Sequence, residues 1–126
     1  AVPQWIQTAL KGEVVPVYWG LKQKKDYIFI DDVVRANMLA AEKGRGAAVY
    51  NVGSGKGLYM YEVFAALEKV LGRKLPKKDM GARAGDPSVL IADIGHIKKE
   101  LGWAPTVDIV TGLRKTVAYY RKEMDL

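Results

Sequence analysis

Apolar residues recur along the chain in clusters of two different spacings, which predicts helices that alternate with short strands. Helical spacing, with apolar positions three and four residues apart, predicts amphipathic helices over residues 3–10, 33–43, 61–71 and 109–122, and a shorter one that ends at Leu101. Runs of β-branched and aromatic residues predict strands over 14–18, 27–30 and 47–52. This alternation is typical of the α/β class.

Several helix ends carry residues that favour initiation or termination. Asp31 or Asp32 is predicted to cap a helix that starts at Val33, and Asp93 and Asp108 are predicted to cap the last two helices. Gly72 follows the strongest apolar stripe, where a residue with free φ is favoured. The stripe comprises Val63, Phe64, Leu67, Val70 and Leu71.

Length and composition describe one globular domain. The chain has 126 residues, of which 49% are hydrophobic and 27% charged, so residues 1–126 are expected to form a single domain. No apolar run approaches the roughly 20 residues that span a bilayer, and no signal peptide is visible. Because there is no cysteine, disulfides and thiolate chemistry are excluded. A soluble, cytoplasmic protein without a membrane partner is expected.

The chain carries a net charge of +6, which makes an anionic partner plausible. Three interpretations stay open: a solvated basic surface, a pocket for a diphosphate, or a nucleic-acid interface. Nucleic acid is disfavoured because no known nucleic-acid-binding motif is present.

A glycine-rich motif and a Tyr-x-x-x-Lys motif match a phosphate-binding and a catalytic signature, respectively, but only superficially. Residues 53–57 read Gly-Ser-Gly-Lys-Gly, but Leu58 replaces the third glycine of a dinucleotide fingerprint, and Gly57 replaces the Ser or Thr of a P-loop. We interpret residues 53–57 as a turn between a strand and a helix. Tyr18 and Lys22 have the spacing of a catalytic Tyr-x-x-x-Lys pair, but Gly20 interrupts the helical turn that this chemistry requires.

His96 is the single histidine, and no second metal ligand lies at a useful spacing. It is expected to be a surface residue. Neither a catalytic residue nor a metal ligand is therefore assigned.

Arg83-Ala84-Gly85-Asp86 combines an arginine suited to bidentate phosphate contacts with an aspartate that can accept from vicinal hydroxyls. Taken alone, the segment favours the simpler interpretation of a loop with a surface ion pair. Lys25-Asp26-Tyr27 is the second basic segment: in an extended chain Lys25 and Tyr27 share one side, while Ile28 and Ile30 share the other.

Residues 25–33 resemble the Arg-Asp-aromatic-apolar-aromatic-Val-Asp-Asp-Val segment of NAD-dependent epimerases and dehydratases of nucleotide sugars, in the extended short-chain dehydrogenase/reductase family. Eight further segments follow in the order of that family's C-terminal half, from Pro3 to Arg121. They are Ile6-x-x-Ala9-x-x-Gly12, Val17-Tyr18, Gln23-x-Lys25, Val49-Tyr50-Asn51-Val52-Gly53-Ser54-Gly55, Arg83-x-Gly85-Asp86, Ala92-Asp93-Ile94, Glu100-Leu101-Gly102-Trp103-x-Pro105 and Gly112-Leu113-Arg114-x-Thr116-Val117.

The resemblance implies the C-terminal part of a Rossmann-type enzyme that lacks the N-terminal dinucleotide-binding sheet. Such a part would hold the nucleoside diphosphate of a nucleotide sugar. It implies substrate-binding roles for six residues: Lys25 and Arg83 on phosphates, Asp86 on ribose, Val17 and Tyr18 along the base, and Tyr27 lining the pocket. NAD or NADP is implied for the full-length enzyme, and no cofactor site is expected in this chain alone.

Three positions depart from the family pattern. Lysine stands at position 25 where arginine is usual, Trp19-Gly20-Leu21 replaces a Gly-Asp-Gly hairpin, and Tyr59 replaces a Ser or Thr helix cap. Two alternatives to an enzyme part stay open: a non-enzymatic binding module descended from the same half, and a basic nucleic-acid binder. Because the sheet is missing, the strand edge at 47–52 and the apolar faces of the helices 33–43 and 61–71 are expected to be left open. A homo-oligomer, most simply a dimer, is expected to cover this strand or its flanking helices.

Overall fold

The computed structural model describes residues 1–126 and contains short strands set among five helices. The elements in chain order are α1 Val2–Leu10, β1 Val15–Val17, β2 Lys24–Asp26, α2 Ile30–Lys43, β3 Gly57–Tyr59, α3 Met60–Leu71, β4 Lys77–Asp79, β5 Val89–Leu90, α4 Gly95–Leu101 and α5 Ile109–Glu123. The predicted α/β class is confirmed. No helix has the length and apolarity that crossing a membrane requires.

The strands form two small sheets. β1 pairs in parallel with β4, and β2 lies between β3 and β5. The β2–β3 pair is antiparallel with Lys25 opposite Leu58, and the β2–β5 pair is parallel with Lys25 opposite Leu90. The second sheet therefore brings Lys25 beside the loop that precedes β5.

The largest hydrophobic core lies where α1, α3 and α5 pack on one another. It contains 13 buried residues, including Trp5, Phe64, Leu67, Leu113 and Val117. The stripe predicted on residues 61–71 thus faces this core, which contradicts the expectation that this helix leaves an apolar face open. Trp5 and Phe64 meet edge to face, with ring centroids 5.3 Å apart.

A second core of five buried residues lies between α2 and α4. Trp103 is its largest member, and its indole N–H donates to the backbone oxygen of Asp32 at 3.0 Å. Other members are Ala36, Ile94, Ile97 and Leu101.

One of the predicted caps is confirmed and two are wrong. Asp108 accepts a 2.8 Å hydrogen bond from the Thr111 backbone N–H at the start of α5. Asp93 accepts one of 2.9 Å from Gly95, but the residue at the cap position of α4 is Ile94, which makes no side-chain capping hydrogen bond. The helix predicted to begin at Val33 begins at Ile30 instead, so Asp31 and Asp32 lie within its first turn. The buried Asp32 carboxylate accepts from Thr106 and Val107, far along the chain.

Two predicted strands are absent. Residues 27–29 lie between β2 and α2, and residues 47–52 form no strand, with Val49 80% exposed. A strand needs a neighbour for its backbone groups, and neither segment has one. Apolar composition alone therefore predicted strands at 27–30 and 47–52 that do not form.

Glu62 compensates for Tyr59, which stands where the family has a Ser or Thr helix cap. The Glu62 carboxylate accepts a 2.8 Å hydrogen bond from the Tyr59 backbone N–H, which supports the start of α3 without a Ser or Thr.

The segment that replaces the family's Gly-Asp-Gly hairpin is a strained turn. In Trp19, Gly20 and Leu21 all three φ angles are positive, between 57° and 60°. Two of these residues carry side chains that disfavour this region, so the turn is strained.

Candidate functional site

The loop that contains Arg83 and Asp86 is held against β2 by the side chains of Gln23, which precedes this strand, and Lys25, which lies within it. The Lys25 amine donates to the Pro87 carbonyl oxygen at 2.7 Å and lies 3.5 Å from Oδ1 of Asp86. The Gln23 side-chain amide donates to Oδ2 of Asp86 at 3.0 Å and to the Pro87 oxygen at 3.1 Å. The ion pair thus joins residues 61 positions apart in sequence.

Arg83 lies near the same carboxylate and over an aromatic ring. Its guanidinium carbon is 4.5 Å from the centroid of the Tyr18 ring, a cation–π contact. The Gln23 hydrogen bond, with the charges of Lys25 and Arg83, lowers the pKa of Asp86, although partial burial opposes this. Asp86 is therefore an anion that lies among cationic groups and a neutral donor.

Four of the six predicted site residues come together here: Tyr18, Lys25, Arg83 and Asp86. Val17 does not, because its side chain is buried in the first core. Tyr27 lines a separate apolar cavity of about 280 Å³, beside Phe29 and Ile109, and burial raises the pKa of its phenol. The substrate roles of all six residues stay predictions.

A larger opening adjoins the Lys25 side of the cluster. It has a volume of about 570 Å³ and mixes polar and apolar groups. Its lining includes Lys25, Asn51, Gly53, Leu90 and Asp93. The volume is in the range of small-molecule sites.

Gln23 belongs to this cluster by its contacts, although the sequence motifs imply no chemistry for it. The signal was present, since Gln23 and Lys25 are two positions apart in an extended chain and therefore share a side. Both indeed reach Asp86.

The glycine-rich loop at 53–57 does not fit a dinucleotide. The Asp26 carboxylate already accepts from the backbone N–H groups of Ser54 at 2.7 Å, Gly55 at 3.0 Å and Ala92 at 3.2 Å. A pyrophosphate would need those same donors, and a Cβ on Gly53 would lie 2.7 Å from Asp26. The predicted turn leads into β3 before α3, and we assign no step of any NAD chemistry to this chain.

His96 has partners that the sequence did not indicate. Its Nε2 lies 3.0 Å from the Glu100 carboxylate, and the Tyr50 hydroxyl donates to the same carboxylate at 2.7 Å. These hydrogen bonds lower the pKa of Glu100, and the bond to Glu100 raises the pKa of Tyr50. The His96 side chain is half exposed, as expected for a surface residue. No group of three or more candidate ligands for a metal ion is present.

Comparison with known proteins identifies relatives of this chain. The model of the NAD dependent epimerase/dehydratase family matches residues 1–53. A dTDP-glucose 4,6-dehydratase from Streptomyces griseus is 32% identical over 122 residues, which are 96% of this chain and 37% of that protein.

Two solved structures have the same fold over nearly the whole chain. UDP-glucose 4-epimerase from Thermotoga maritima, solved with UDP-glucose, is 36% identical with a TM-score of 0.87, over 98% of this chain and 40% of that one. UDP-glucuronic acid 4-epimerase from Bacillus cereus, solved with UDP-glucuronic acid and NAD, is 25% identical with a TM-score of 0.91 over the same shares.

The chain thus spans only about two fifths of the length of the relatives that it matches. Within that span, the sequence similarity and the fold agree from end to end. The chain belongs to the NAD-dependent epimerase/dehydratase family.

Proposed function

We propose that this chain binds the nucleoside diphosphate of a nucleotide sugar, as the substrate-binding portion of an epimerase or dehydratase. The observation that carries the proposal is the meeting of Lys25, Arg83 and Asp86, which come from two distant segments. Relatives solved in complex with UDP-glucose and with UDP-glucuronic acid add support by analogy.

The charges in this cluster match the chemistry of the ligand. A diphosphate presents several oxygens to cations, and arginine is suited to bidentate contact with them. Lys25 contributes a compact charge, which its present pairing holds beside the Asp86 carboxylate. Tyr18 offers an aromatic face for a base, although Arg83 covers that face in this conformation.

Arg83→Ala is expected to weaken binding of UDP or dTDP by about 1.5–3 kcal/mol, the range for hydrogen bonds to charged groups. Calorimetric titration of the wild type and the variant with each nucleotide measures this loss. Arg121→Ala is the matched control, because it removes an arginine from the last turn of α5 and leaves the cluster intact.

Failure of the wild type to bind any nucleoside diphosphate would reject the proposal, and so would equal affinity of wild type and Arg83→Ala. Affinity for RNA or DNA that falls steeply with salt would favour the nucleic-acid interpretation instead. Tight diphosphate binding by the chain alone is compatible with either an enzyme part or a non-enzymatic module.

We also propose that an exposed apolar surface on α2 mediates self-association. Ile30, Val34 and Met38 are four residues apart along the helix and are between 49% and 61% exposed. Val49, in the segment that forms no strand, is also exposed, but the proposed surface is the one on α2. Contiguous apolar surface of this kind typically marks an interface.

Light scattering of the chain is expected to report a dimer, and Met38→Lys is expected to shift it toward monomer by placing a charge in the interface. Lys43→Met, at the end of the same helix, is the control and is expected to leave the assembly unchanged. A stable monomer at all concentrations would contradict the prediction. The expectation applies to this chain by itself, and in a longer protein another segment can cover the same surface.

A further inference from the structure

We propose that Gln23 is a positioning residue that orients the Asp86 carboxylate to accept hydrogen bonds from the ribose hydroxyls of the nucleotide. The inference rests on the proposed nucleotide-binding function and assigns a role within that site. It concerns how the Asp86 carboxylate is held in place, a role distinct from the proposed phosphate contacts of Lys25 and Arg83.

Gln23 is rigidly placed. It is only 3% exposed, and its backbone oxygen accepts a 2.9 Å hydrogen bond from Met60 at the start of α3. The next residue, Lys24, donates its backbone N–H to the Ser88 oxygen at 2.8 Å. The backbone on both sides of the Gln23 side chain is therefore fixed to other elements.

The side-chain amide has two donors and both are used. One reaches Oδ2 of Asp86 and the other the Pro87 oxygen, so the amide holds a side chain and the backbone that carries it. The second bond ties the backbone that follows Asp86 to the same amide, at an oxygen that also accepts from the Lys25 amine.

The carboxylate keeps free acceptor sites. An ionised carboxylate offers about four lone-pair directions, and Gln23 and Lys25 occupy one on each oxygen. The Asp86 side chain remains 35% exposed, so its unoccupied directions are open to solvent. Two adjacent acceptors match the two adjacent hydroxyls of a ribose.

The neutral character of Gln23 matters for this role. A second lysine in its place would pair tightly with Asp86 and compete with hydroxyl donors, whereas an amide stabilises the anion without neutralising it. The lowered pKa of Asp86 agrees, since the Gln23 hydrogen bond is its largest cause. The carboxylate therefore stays an acceptor at neutral pH.

The test compares UDP with 2′,3′-dideoxy-UDP, which has the same base and phosphates but no ribose hydroxyls. Wild type is expected to bind UDP about tenfold or more tightly than the dideoxy compound, the factor for hydrogen bonds to a charged group. Gln23→Met keeps the buried volume and removes both donors, and it is expected to reduce that ratio toward one. Affinity for dideoxy-UDP should change little, which also shows that the variant is folded.

Lys22→Met is the matched control, because it alters an exposed neighbour and should preserve the ratio. If Gln23→Met binds UDP and dideoxy-UDP with the wild-type ratio, or weakens both equally, Gln23 does not aim Asp86 and the inference is overturned. If wild type binds neither compound, the proposed function itself fails. If wild type binds both equally, Asp86 does not contact ribose, and the inference fails while phosphate binding stands.

Discussion

Asp32→Ala is expected to lower the free energy of unfolding by about 3–5 kcal/mol, the range observed when one partner of a buried charged network is removed. Asp32 is 1% exposed, and its carboxylate accepts from the backbone N–H groups of Thr106 and Val107, both at 3.0 Å. It also accepts from the Thr106 hydroxyl at 2.9 Å and pairs with Arg35 at 3.1 Å. Alanine would leave these donors without partners.

Urea unfolding followed by circular dichroism measures the loss, and Asp31→Ala is the matched control. Asp31 carries the same charge in the same helical turn, but its side chain is 62% exposed and its one ion pair, to Lys115, spans 3.5 Å. The control is expected to stay near wild type, because exposed pairs contribute little. Equal losses of unfolding free energy in Asp32→Ala and Asp31→Ala would show that both carboxylates act only through their charge near the start of α2, and would contradict the prediction.

The same carboxylate gives the protein a dependence on pH. Burial on its own would raise the pKa of Asp32, but hydrogen bonds from Val107, Thr106 and Arg35 lower it on balance. Because the folded pKa lies below the unfolded value of about 3.9, the contribution is fully present above about pH 4 and is lost as the pH falls through the folded pKa. Asp32→Asn is expected to flatten the stability profile in this acidic range relative to wild type.

Helices were predictable because their signals are local. The stripe on α3 and the Asp108 cap of α5 involve residues within two turns of each other, and both are confirmed. Gly72 adopts a φ of 72° at the end of α3, the left-handed region for which glycine is favoured.

Strands were predicted poorly because their stability depends on partners that are distant in sequence. β4 consists of Lys-Lys-Asp, and β5 has two residues, so neither carries a local signal. Conversely, residues 47–52 have strand composition and no neighbour to pair with. Asp32 was mistaken for a cap for the same reason: its partners lie 74 and 75 positions away.

The candidate site was partly accessible from sequence. Family resemblance brought Lys25, Arg83 and Asp86 together, and the structure gives the reason: the parallel register of β2 and β5 places the loop before β5 beside Lys25. The contacts of Gln23 were only partly accessible: its spacing places it on the same side of an extended chain as Lys25, but its partners lie in a loop that carries no periodic pattern. Nor did composition reveal that Asp26 occupies the backbone donors of the glycine-rich loop.

Trp5→Ala is expected to lower the free energy of unfolding by about 3–5 kcal/mol, the range for removing a buried tryptophan. Its ring is buried against Phe64 in the first core, where truncation leaves a cavity. Chemical denaturation measures the loss. Trp5→Phe, which retains an aromatic ring, is expected to lose less, and Val14→Ala, at an exposed apolar position, is the control.

The milder variant, Trp5→Phe, also tests whether residues 1–126 form one domain. Trp5 belongs to the first core and α4 to the second, and the two clusters share no buried residue. If the chain unfolds as one cooperative unit, Trp5→Phe should reduce hydrogen-exchange protection of Ile97 and Leu101 in α4 as much as that of Phe64 and Leu67 in α3. We expect equal reductions, because the hydrogen bonds of Asp26 connect β2 to Ser54, Gly55 and Ala92, between the two cores. Protection that falls in α3 while α4 keeps its wild-type values would show two independent units and contradict the single-domain prediction.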